Sequence, residues 1–337
     1  MIRLLIASGL LALFIWNPYP FQYLELKGYD TLIMSTEPVQ NENILIVDLD
    51  EDLVKAYEGY PLPRSLYAEL IQKTNAVPGI TVLMPDPDIR GKENDLTLSN
   101  AMMNVPTVLA SAASTQSSKE SLHVGTAQLG GDPLPWLYEY PGILRTESTL
   151  ELSRKGLGLI TATPEIDGVT RRIPLVVNVQ SKLYPAFALE LLRLAVNDPS
   201  YQLKTTQEGI DWIRVPSYPL MKTDANARIF LDWNTKFYKQ TGSEFLNSPI
   251  DAPFVIFGVT AEGVVNPTPT PAGLKYPHEV QANILHNLIN GSAPSTPTWA
   301  PAGELFGLAL GLLLIALTVS SIYISAPVIF SLIGGSI

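Results

Sequence analysis

Long apolar runs at both ends of the chain enclose a middle region in which apolar and polar positions alternate over shorter distances. The run at 305–324 (LFGLALGLLLIALTVSSIYI) contains no charged residue and has the length of about 20 residues that spans a bilayer. Pro327 interrupts the pattern, and a second apolar stretch follows it. We therefore predict a transmembrane helix at 304–325 and, at 326–337, the start of a second span that is apparently truncated, the two forming a hairpin.

The run at the other end, 4–16 (LLIASGLLALFIW), is shorter and leads into aromatic residues between 16 and 23, which favour a membrane interface. Two interpretations fit this pattern, an uncleaved membrane anchor at 1–23 and a secretory signal peptide. No cleavage site of small residues follows the apolar run, which favours the anchor. Arg3 favours a cytoplasmic N-terminus, so residues 24–303 are expected to form an extracytoplasmic domain, in the periplasm of a bacterium.

Short β-branched runs alternate with helical patterns in the first half of this domain. Strands are predicted at 43–49 (NILIVDL), 79–84 (GITVLM) and 105–110, with helices at 64–75 and 95–104 between them. This β-α-β-α-β order is typical of a parallel sheet with helical crossovers. The single helix between the first two strands predicts that they are adjacent parallel neighbours in the sheet.

The second half of the domain adds a hairpin signal and further elements. Asp167 and Gly168 lie between the apolar runs GLGLITATP and TRRIPLVVN, a pattern typical of a β-hairpin. Further helices are predicted at 185–196 and 277–289, and further strands at 210–215, 228–233 and 253–259. The predicted fold class is α/β: a mixed sheet with a parallel βαβ start and helices on its faces, flanked by an N-terminal transmembrane helix and C-terminal transmembrane segments.

Composition narrows the possible functions. The chain of 337 residues has a net charge of −10, which argues against nucleic acid as a partner because that interaction needs a basic surface. It has no cysteine, so disulfides and thiolate metal sites are excluded. The sequence also lacks the GxSxG, SxxK and phosphate-loop patterns of common catalytic sites. We therefore expect no catalytic residues and no cofactor, and we predict that the protein is not an enzyme.

Acidic residues follow the first two predicted strands and are the first candidates for a ligand site. Asp48 and Asp50 lie at the carboxyl end of the first strand, where open α/β sheets bind ligands, while Asp86 and Asp95 follow the second strand. Clustered carboxylates at one sheet edge are able to hold a divalent cation. The alternative is a structural role. In that case Asp50 caps the helix that follows, and the negative charges of Glu51 and Asp52 interact favourably with the positive N-terminal end of that helix.

Two arginines are further candidates. Arg64 begins a helix after a proline-rich turn, and its guanidinium is suited to bind a carboxylate ligand bidentately. A structural pairing with Asp50 or Asp86 explains the same residue equally economically. Arg171 and Arg172 follow the Asp-Gly turn, and one of the two is expected to point outward because successive strand residues alternate in direction. Arg171 is therefore a ligand-binding candidate.

The three histidines, His123, His278 and His286, do not form a metal motif. His278 and Glu279 lack the second histidine that a HExxH zinc site requires. His278 and His286 are eight positions apart, about two helical turns, which is too far to chelate one ion unaided. We expect surface or capping roles for all three histidines and no metal ligand.

Several segments, taken in order along the chain, resemble one family. They are 28–30 (GYD), 46–53 (IVDLDEDL), 60–64 (YPLPR), 79–83 (GITVL), 167–172 (DGVTRR), 185–189 (PAFAL), 255–273 (VIFGVTAEGVVNPTPTPAG) and 277–282 (PHEVQA). Together they cover roughly residues 25 to 300, and the chain resembles the CHASE2 family of extracytoplasmic sensor domains. It departs from the family pattern at 84–86 (MPD), at 276–277 (YP) and at Asn266.

The resemblance implies a function in bacterial signal transduction. CHASE2 domains are typically followed by several transmembrane helices and a cytoplasmic kinase or cyclase, and this chain contains no such output domain. The resemblance therefore implies a membrane-anchored sensor module at the inner membrane, with its main domain in the periplasm and an unknown small-molecule or physical stimulus. We expect a homodimer. Two alternatives stay open: an anchored metal-dependent hydrolase that uses the acidic cluster, and a periplasmic scaffold without a ligand.

Overall fold

Parallel strands that are buried on both faces form the centre of the fold. The computed structural model describes residues 8–9, 11–12, 15–118, 125–295, 297, 299–300 and 302–314. The chain divides into two compact units, and the unit Asp30–Ser295 contains all the strands that are described. The mixed α/β architecture predicted from the sequence is confirmed in this unit.

The α-helices whose bounds the structure describes have six to 16 residues. They are α1 (Tyr19–Met34), α2 (Glu51–Ala56), α3 (Arg64–Gln72), α4 (Lys92–Asn104), α5 (Ser148–Ser153), α6 (Phe187–Ala195), α7 (Gly242–Asn247) and α8 (Pro277–Asn290). Gly291 ends α8 in the left-handed conformation, with a φ of 63°, as is typical of glycine after a helix.

The strands are mostly short. They are β1 (Val39–Leu49), β2 (Val77–Ile80), β3 (Val108–Ser114), β4 (Gly125–Gly130), β5 (Glu139–Tyr140), β6 (Gly142–Leu144), β7 (Gly156–Leu159), β8 (Arg172–Pro174), β9 (Val176–Val179), β10 (Lys182–Pro185), β11 (Ser200–Thr206), β12 (Gly209–Arg214), β13 (Met221–Lys222), β14 (Arg228–Phe230), β15 (Thr235–Thr241), β16 (Phe254–Val259), β17 (Thr268–Thr270) and β18 (Gly273–Lys275). Pro185 therefore ends a strand, and the helix predicted from that proline begins two residues later.

The main sheet has the strand order β15-β1-β16-β2-β3-β6, and β7 also pairs with β3. All of its pairs are parallel except β3 with β6. The predicted adjacency of 43–49 and 79–84 is wrong, because β16 lies between β1 and β2. Every residue of β16 is buried, and a strand that is apolar on both faces is most stable in the interior of a parallel sheet.

Two hydrophobic cores lie on opposite faces of the main sheet. Along β1, Ile44 and Ile46 belong to the core that contains the buried residues of α6 and α8, while Leu45, Val47 and Leu49 belong to the core on the other face. That second core contains residues of α2, α3, α4, α5 and α7. The alternation follows from the two-residue period of a strand, and it places helices on both faces of the sheet as predicted.

The hairpin predicted around the Asp-Gly turn does not form. The turn exists, with Gly168 donating to the Glu165 carbonyl at 2.9 Å, but β7 pairs with β3 and β8 pairs with β14. The reason is close packing against α6: a Cβ on Gly158 would overlap the backbone of Phe187. The glycines of the GLGL segment thus serve a tight contact between strand and helix rather than a hairpin.

The fold class predicted from the sequence needs one correction, which concerns its flanking transmembrane helices. Among the described residues, no helix is both long enough and apolar enough to cross a membrane. Helix α1 has 16 residues and includes Glu25, Lys27 and Asp30, whereas a span needs about 20 predominantly apolar residues. Of the predicted membrane segments, residues 1–7, 10, 13–14 and 315–337 lie outside the described residues.

Candidate functional site

The carboxyl ends of β1, β16 and β2 meet at one edge of the main sheet, and most of the predicted site residues lie there. Asp48 is the second-last residue of β1, and Thr81 follows β2 directly. The loops and helix starts that follow these strands carry Arg64, Asp86 and His278. This is the edge at which open α/β sheets bind their ligands.

A cavity of about 200 Å³ opens between the start of α3 and the segment that follows β2. We call it the edge cavity. Most of its lining is apolar or aromatic, and the polar groups are contributed by the tyrosines, Arg64, Asp86 and Asp88. The lining residues are Tyr60, Pro61, Leu62, Arg64, Tyr67, Val82, Leu83, Met84, Pro85, Asp86, Pro87, Asp88 and Ile89.

Tyr67 contributes a polar atom without a partner to this cavity. The residue is 2% exposed, and its hydroxyl has no hydrogen-bond partner among the residues that the structure describes. Burial raises the pKa of Tyr67 well above its ordinary value, so the hydroxyl keeps its proton. Buried polar groups are normally paired, and the hydroxyl of Tyr67 is an exception among the described residues.

A second cavity of about 170 Å³ lies beside the first and shares Tyr60, Val82 and Leu83 with it. His278 lines this second cavity and is fully buried. Its Nδ1 atom has no partner in the described part of the chain. The carboxyl edge of the sheet thus carries two adjoining cavities, each with one unpaired buried polar atom.

Arg64 is held in a structural ion pair beside the edge cavity. Its guanidinium donates to the side chain of Asp95 and to the backbone carbonyl of Asp86. Its backbone N–H donates to Asp88 Oδ2 at 2.8 Å, and the N–H of Asp88 donates to Asp95 Oδ2 at 3.1 Å. The partner is therefore neither Asp50 nor the carboxylate of Asp86, the two that the sequence suggested. Whether Arg64 and Asp95 also contact a ligand stays a prediction.

Asp48 belongs to a second set of charges at the same edge. A hydrogen bond of 2.7 Å joins His278 Nε2 to Asp48 Oδ1, and Lys239 Nζ lies 3.8 Å from Asp48 Oδ2 and 2.6 Å from Glu279 Oε1. Burial alone raises the pKa of Asp48, but the hydrogen bond and charge of His278 together with Lys239 outweigh it and hold that pKa below its ordinary value. Lys239 and the Tyr276 backbone act in the same way on Glu279.

Asp50 has the structural role that the sequence left open. Its side chain accepts a hydrogen bond of 3.0 Å from the N–H of Leu53 and caps α2. Glu51 and Asp52 follow in the first turn, where negative charge favours the positive end of the helix. Asp48, Asp50 and Asp86 therefore do not converge on one point, and no group of three or more metal-ligating side chains occurs in the described residues.

Arg171 joins two parts of the chain that are distant in sequence. Its Nε and Nη2 donate to both oxygens of Asp30, at 2.6 and 2.8 Å, and its Nη1 and Nη2 donate to both oxygens of Asp167, at 2.9 and 2.8 Å. Arg171 is fully buried. Burial lowers its pKa, but the two carboxylates more than reverse this and raise it above its ordinary value. We call these three residues the Arg171 junction.

Arg172 is the outward-pointing member of the arginine pair. It makes a bidentate pair with Glu165, at 2.6 and 2.7 Å, and lies over the ring of Phe230 at 5.1 Å. Its side chain is 23% exposed. The strand alternation predicted that one arginine points outward, and the structure shows that Arg171 is the inward one.

The histidines correct another expectation. His278 and His286 are buried, not superficial, and His286 Nδ1 lies 2.7 Å from the side-chain nitrogen of Asn41. Burial lowers the pKa of His286. His123 lies outside the described residues. Sequence reasoning missed the roles of Tyr67 and His278, and the available signal was their position on helices that begin at the carboxyl edge of the sheet.

Comparison with known proteins identifies the class to which this arrangement belongs. The family model of the CHASE2 domain matches residues 6–319, which include the main sheet, both cavities and the Arg171 junction. The chain belongs to the CHASE2 family, whose members are extracytoplasmic sensor domains of signalling receptors. The resemblance seen in the sequence is therefore confirmed. No curated protein and no solved structure matches the chain.

Proposed function

We propose that this chain is the input module of a bacterial signal-transduction receptor. In this proposal the sheet domain lies in the periplasm at the inner membrane, binds a stimulus at the carboxyl edge of the sheet, works as a homodimer and catalyses no reaction. Its output passes to a cytoplasmic domain outside these 337 residues. Membership of a family of sensor domains supports the general role.

The Arg171 junction is the observation that carries the proposal. Asp30 lies on α1 and Asp167 lies in the turn before β8, and one buried guanidinium binds both carboxylates bidentately. Bidentate pairs fix the orientation of both partners. A displacement of the turn within the domain is therefore transmitted to the last turns of α1. Such helix shifts are a common means by which receptors pass a signal.

A matched pair of variants tests this coupling. The full chain is joined to a cytoplasmic kinase, and the kinase activity of Asp30→Asn and Asp167→Asn is compared with that of Asp52→Asn. Asp52 is an exposed acid on α2 and serves as the control. We expect both junction variants to change the output by several-fold while the control does not. An unchanged output in both, with the thermal unfolding temperature lowered as the lost pairing requires, would contradict the proposal.

Location and assembly have tests of their own. Alkaline phosphatase joined after Ala300 should be active and β-galactosidase at the same point inactive, and the reverse pattern would exclude a periplasmic domain. The chain has no native cysteine, so a cysteine at Tyr23, which is 39% exposed, reports on dimers without background. We expect cross-linked dimers of Tyr23→Cys in cells. Exclusive monomers would count against the homodimer.

A further inference from the structure

The edge cavity has the size of a small organic ligand. Its volume is about 200 Å³, and a cavity of about 150 Å³ accommodates benzene. A single ring with a short side chain therefore fits. The apolar walls provided by Leu62, Val82 and Met84 favour a ligand with a hydrophobic body.

Two polar groups of the cavity are left for a ligand. The hydroxyl of Tyr67 is buried and has no partner among the described residues. Asp86 is exposed and lines the same cavity. Its backbone carbonyl accepts from Arg64, but its carboxylate has no hydrogen-bond or ion-pair partner in the part of the chain that the structure describes. The hydroxyl of Tyr67 is able to form a hydrogen bond with a ligand, and the carboxylate of Asp86 is able to pair with a positive charge.

The surrounding charges favour a cation over an anion. Arg64 is neutralised by its buried pair with Asp95, and the guanidinium of Arg90 is turned to the carbonyls of Tyr57 and Gly59. Asp88 accepts from two backbone N–H groups, those of Arg64 and Arg90. The three acids 86, 88 and 95 outnumber the two arginines, so an anionic ligand would meet net repulsion.

We propose that the edge cavity binds a small organic ammonium ion. The apolar body of the ligand, of about the size of one ring, occupies the space between α3 and the segment after β2. Its ammonium group pairs with the carboxylate of Asp86, and the hydroxyl of Tyr67 forms a hydrogen bond with the ligand. This inference deepens the proposed sensor function and rests on it for its biological meaning, but not for the binding itself.

Three molecules of the same size test the ligand class. 2-Phenylethylamine, 2-phenylethanol and phenylacetate differ in charge and share the ring, and their binding to the full chain in mild detergent is measured by calorimetry. We expect the amine to bind about ten-fold more tightly than phenylacetate, because one pairs with Asp86 and the other is repelled by it. Equal binding of the three, tighter binding of the acid, or no binding of any at millimolar concentration would overturn the proposal.

Matched variants locate the binding. Asp86→Asn should weaken the amine by about two- to five-fold and leave 2-phenylethanol unchanged, with Asp52→Asn as the control. Tyr67→Phe should weaken the amine by roughly two- to ten-fold. Tyr201→Phe makes the same change at a buried tyrosine of β11, outside the cavity, and should have no effect. Amine binding that both cavity variants leave intact would place the site elsewhere and overturn the assignment.

The measurement separates this inference from the proposed function. Calorimetry on the full chain requires no signalling, so a failure to bind the amine counts against the ligand class and leaves the sensor function standing. Conversely, tight amine binding combined with a receptor output that ignores both the amine and the junction variants would support the site and contradict the sensor function.

Discussion

The Arg171 junction and the edge cavity both contain buried polar groups, yet they differ in how completely these groups are paired. At the junction, one guanidinium uses Nε, Nη1 and Nη2 to bind all four oxygens of Asp30 and Asp167. At the cavity, the hydroxyl of Tyr67 has no partner among the described residues, and the carboxylate of Asp86 faces solvent. A paired network stabilises one arrangement of the chain, whereas unpaired groups leave binding energy for a ligand.

The same difference predicts how the two regions respond to mutation. Removing one member of a saturated buried pair leaves the other charge buried without compensation, which is strongly destabilising. Removing a polar atom that has no partner takes away a desolvation penalty and loses no bond.

The largest effect is expected at the junction. Arg171→Ala leaves Asp30 and Asp167 facing each other without a cation, and it should lower the free energy of unfolding by about 3–5 kcal/mol. Urea denaturation of the full chain measures this loss. Arg214→Ala, which removes an exposed arginine, is the control and should cost below about 0.5 kcal/mol. Equal losses in the two variants would show that the junction is not a stabilising unit.

The ion pair beside the edge cavity comes next. Arg64→Ala leaves Asp95 buried and unpaired and should cost roughly 3 kcal/mol. Asp95→Ala should cost a similar amount, whereas Asp86→Ala should cost little, because Asp86 contacts Arg64 through its backbone carbonyl. A large loss in Asp86→Ala and none in Asp95→Ala would mean that the sequence-based pairing of Arg64 with Asp86 is the correct one.

Acid is expected to weaken the edge of the sheet through Asp48. The pKa of Asp48 is lower in the folded protein than in the unfolded chain, so its stabilising contribution is complete above the unfolded value of about 4 and is lost as the pH falls through the folded value. Charged hydrogen bonds contribute about 1.5 kcal/mol or more. Unfolding measured between pH 6 and pH 3 should therefore show a smaller loss in Asp48→Asn than in the native chain, and an identical loss would contradict this.

A smaller effect is expected at the cap of α2. Asp50→Ala removes the acceptor for the N–H of Leu53 and should cost about 1 kcal/mol. Asp52→Ala alters only an exposed acid in the first turn and should cost about a third of that. Chemical denaturation compares the two. If added Ca²⁺ or Mg²⁺ stabilised the native chain but not Asp50→Ala, Asp50 would be a metal ligand as well as a cap.

The last variant, Tyr67→Phe, should not lower the free energy of unfolding as the other substitutions do. Tyr67→Phe removes a buried hydroxyl without a described partner, so the free energy of unfolding should stay unchanged or rise by about 1 kcal/mol. Thermal unfolding of the ligand-free chain measures it. A clear loss of stability would show that the hydroxyl has a partner within the fold, and the contrast between cavity and junction would then disappear.

Local patterns in the sequence predict the elements of this fold well. The apolar run at 43–49 and the run at 253–259 are strands, and the helix predicted at 277–289 forms as α8. The role of Asp50 as an N-cap can also be inferred from the sequence, because an N-cap and its helix are adjacent in the chain. These features depend on neighbours within a few residues, and a single sequence contains that information.

Pairings between residues that are distant in sequence cannot be predicted from local patterns in the same way. Arg171 and Asp30 are 141 positions apart, and Asp48 and His278 are 230 apart. Nothing in a local pattern states that Arg64 selects Asp95 over Asp86, since both are acids that follow the same strand. The flanking apolar runs led to a prediction of a different kind, and in the described part of the chain no helix is long and apolar enough to cross a membrane.

The position of β16 has a consequence for how the main sheet forms while the chain is being synthesised. This strand begins at residue 254, yet it separates β1 from β2, which are complete by residue 80. The main sheet therefore stays divided until about three quarters of the chain has been synthesised, and contacts between such distant segments make folding slow. Until β16 arrives, β1 and β2 expose apolar strand edges that other chains can pair with. Chaperones that protect unfinished chains should therefore be needed most at this stage of synthesis.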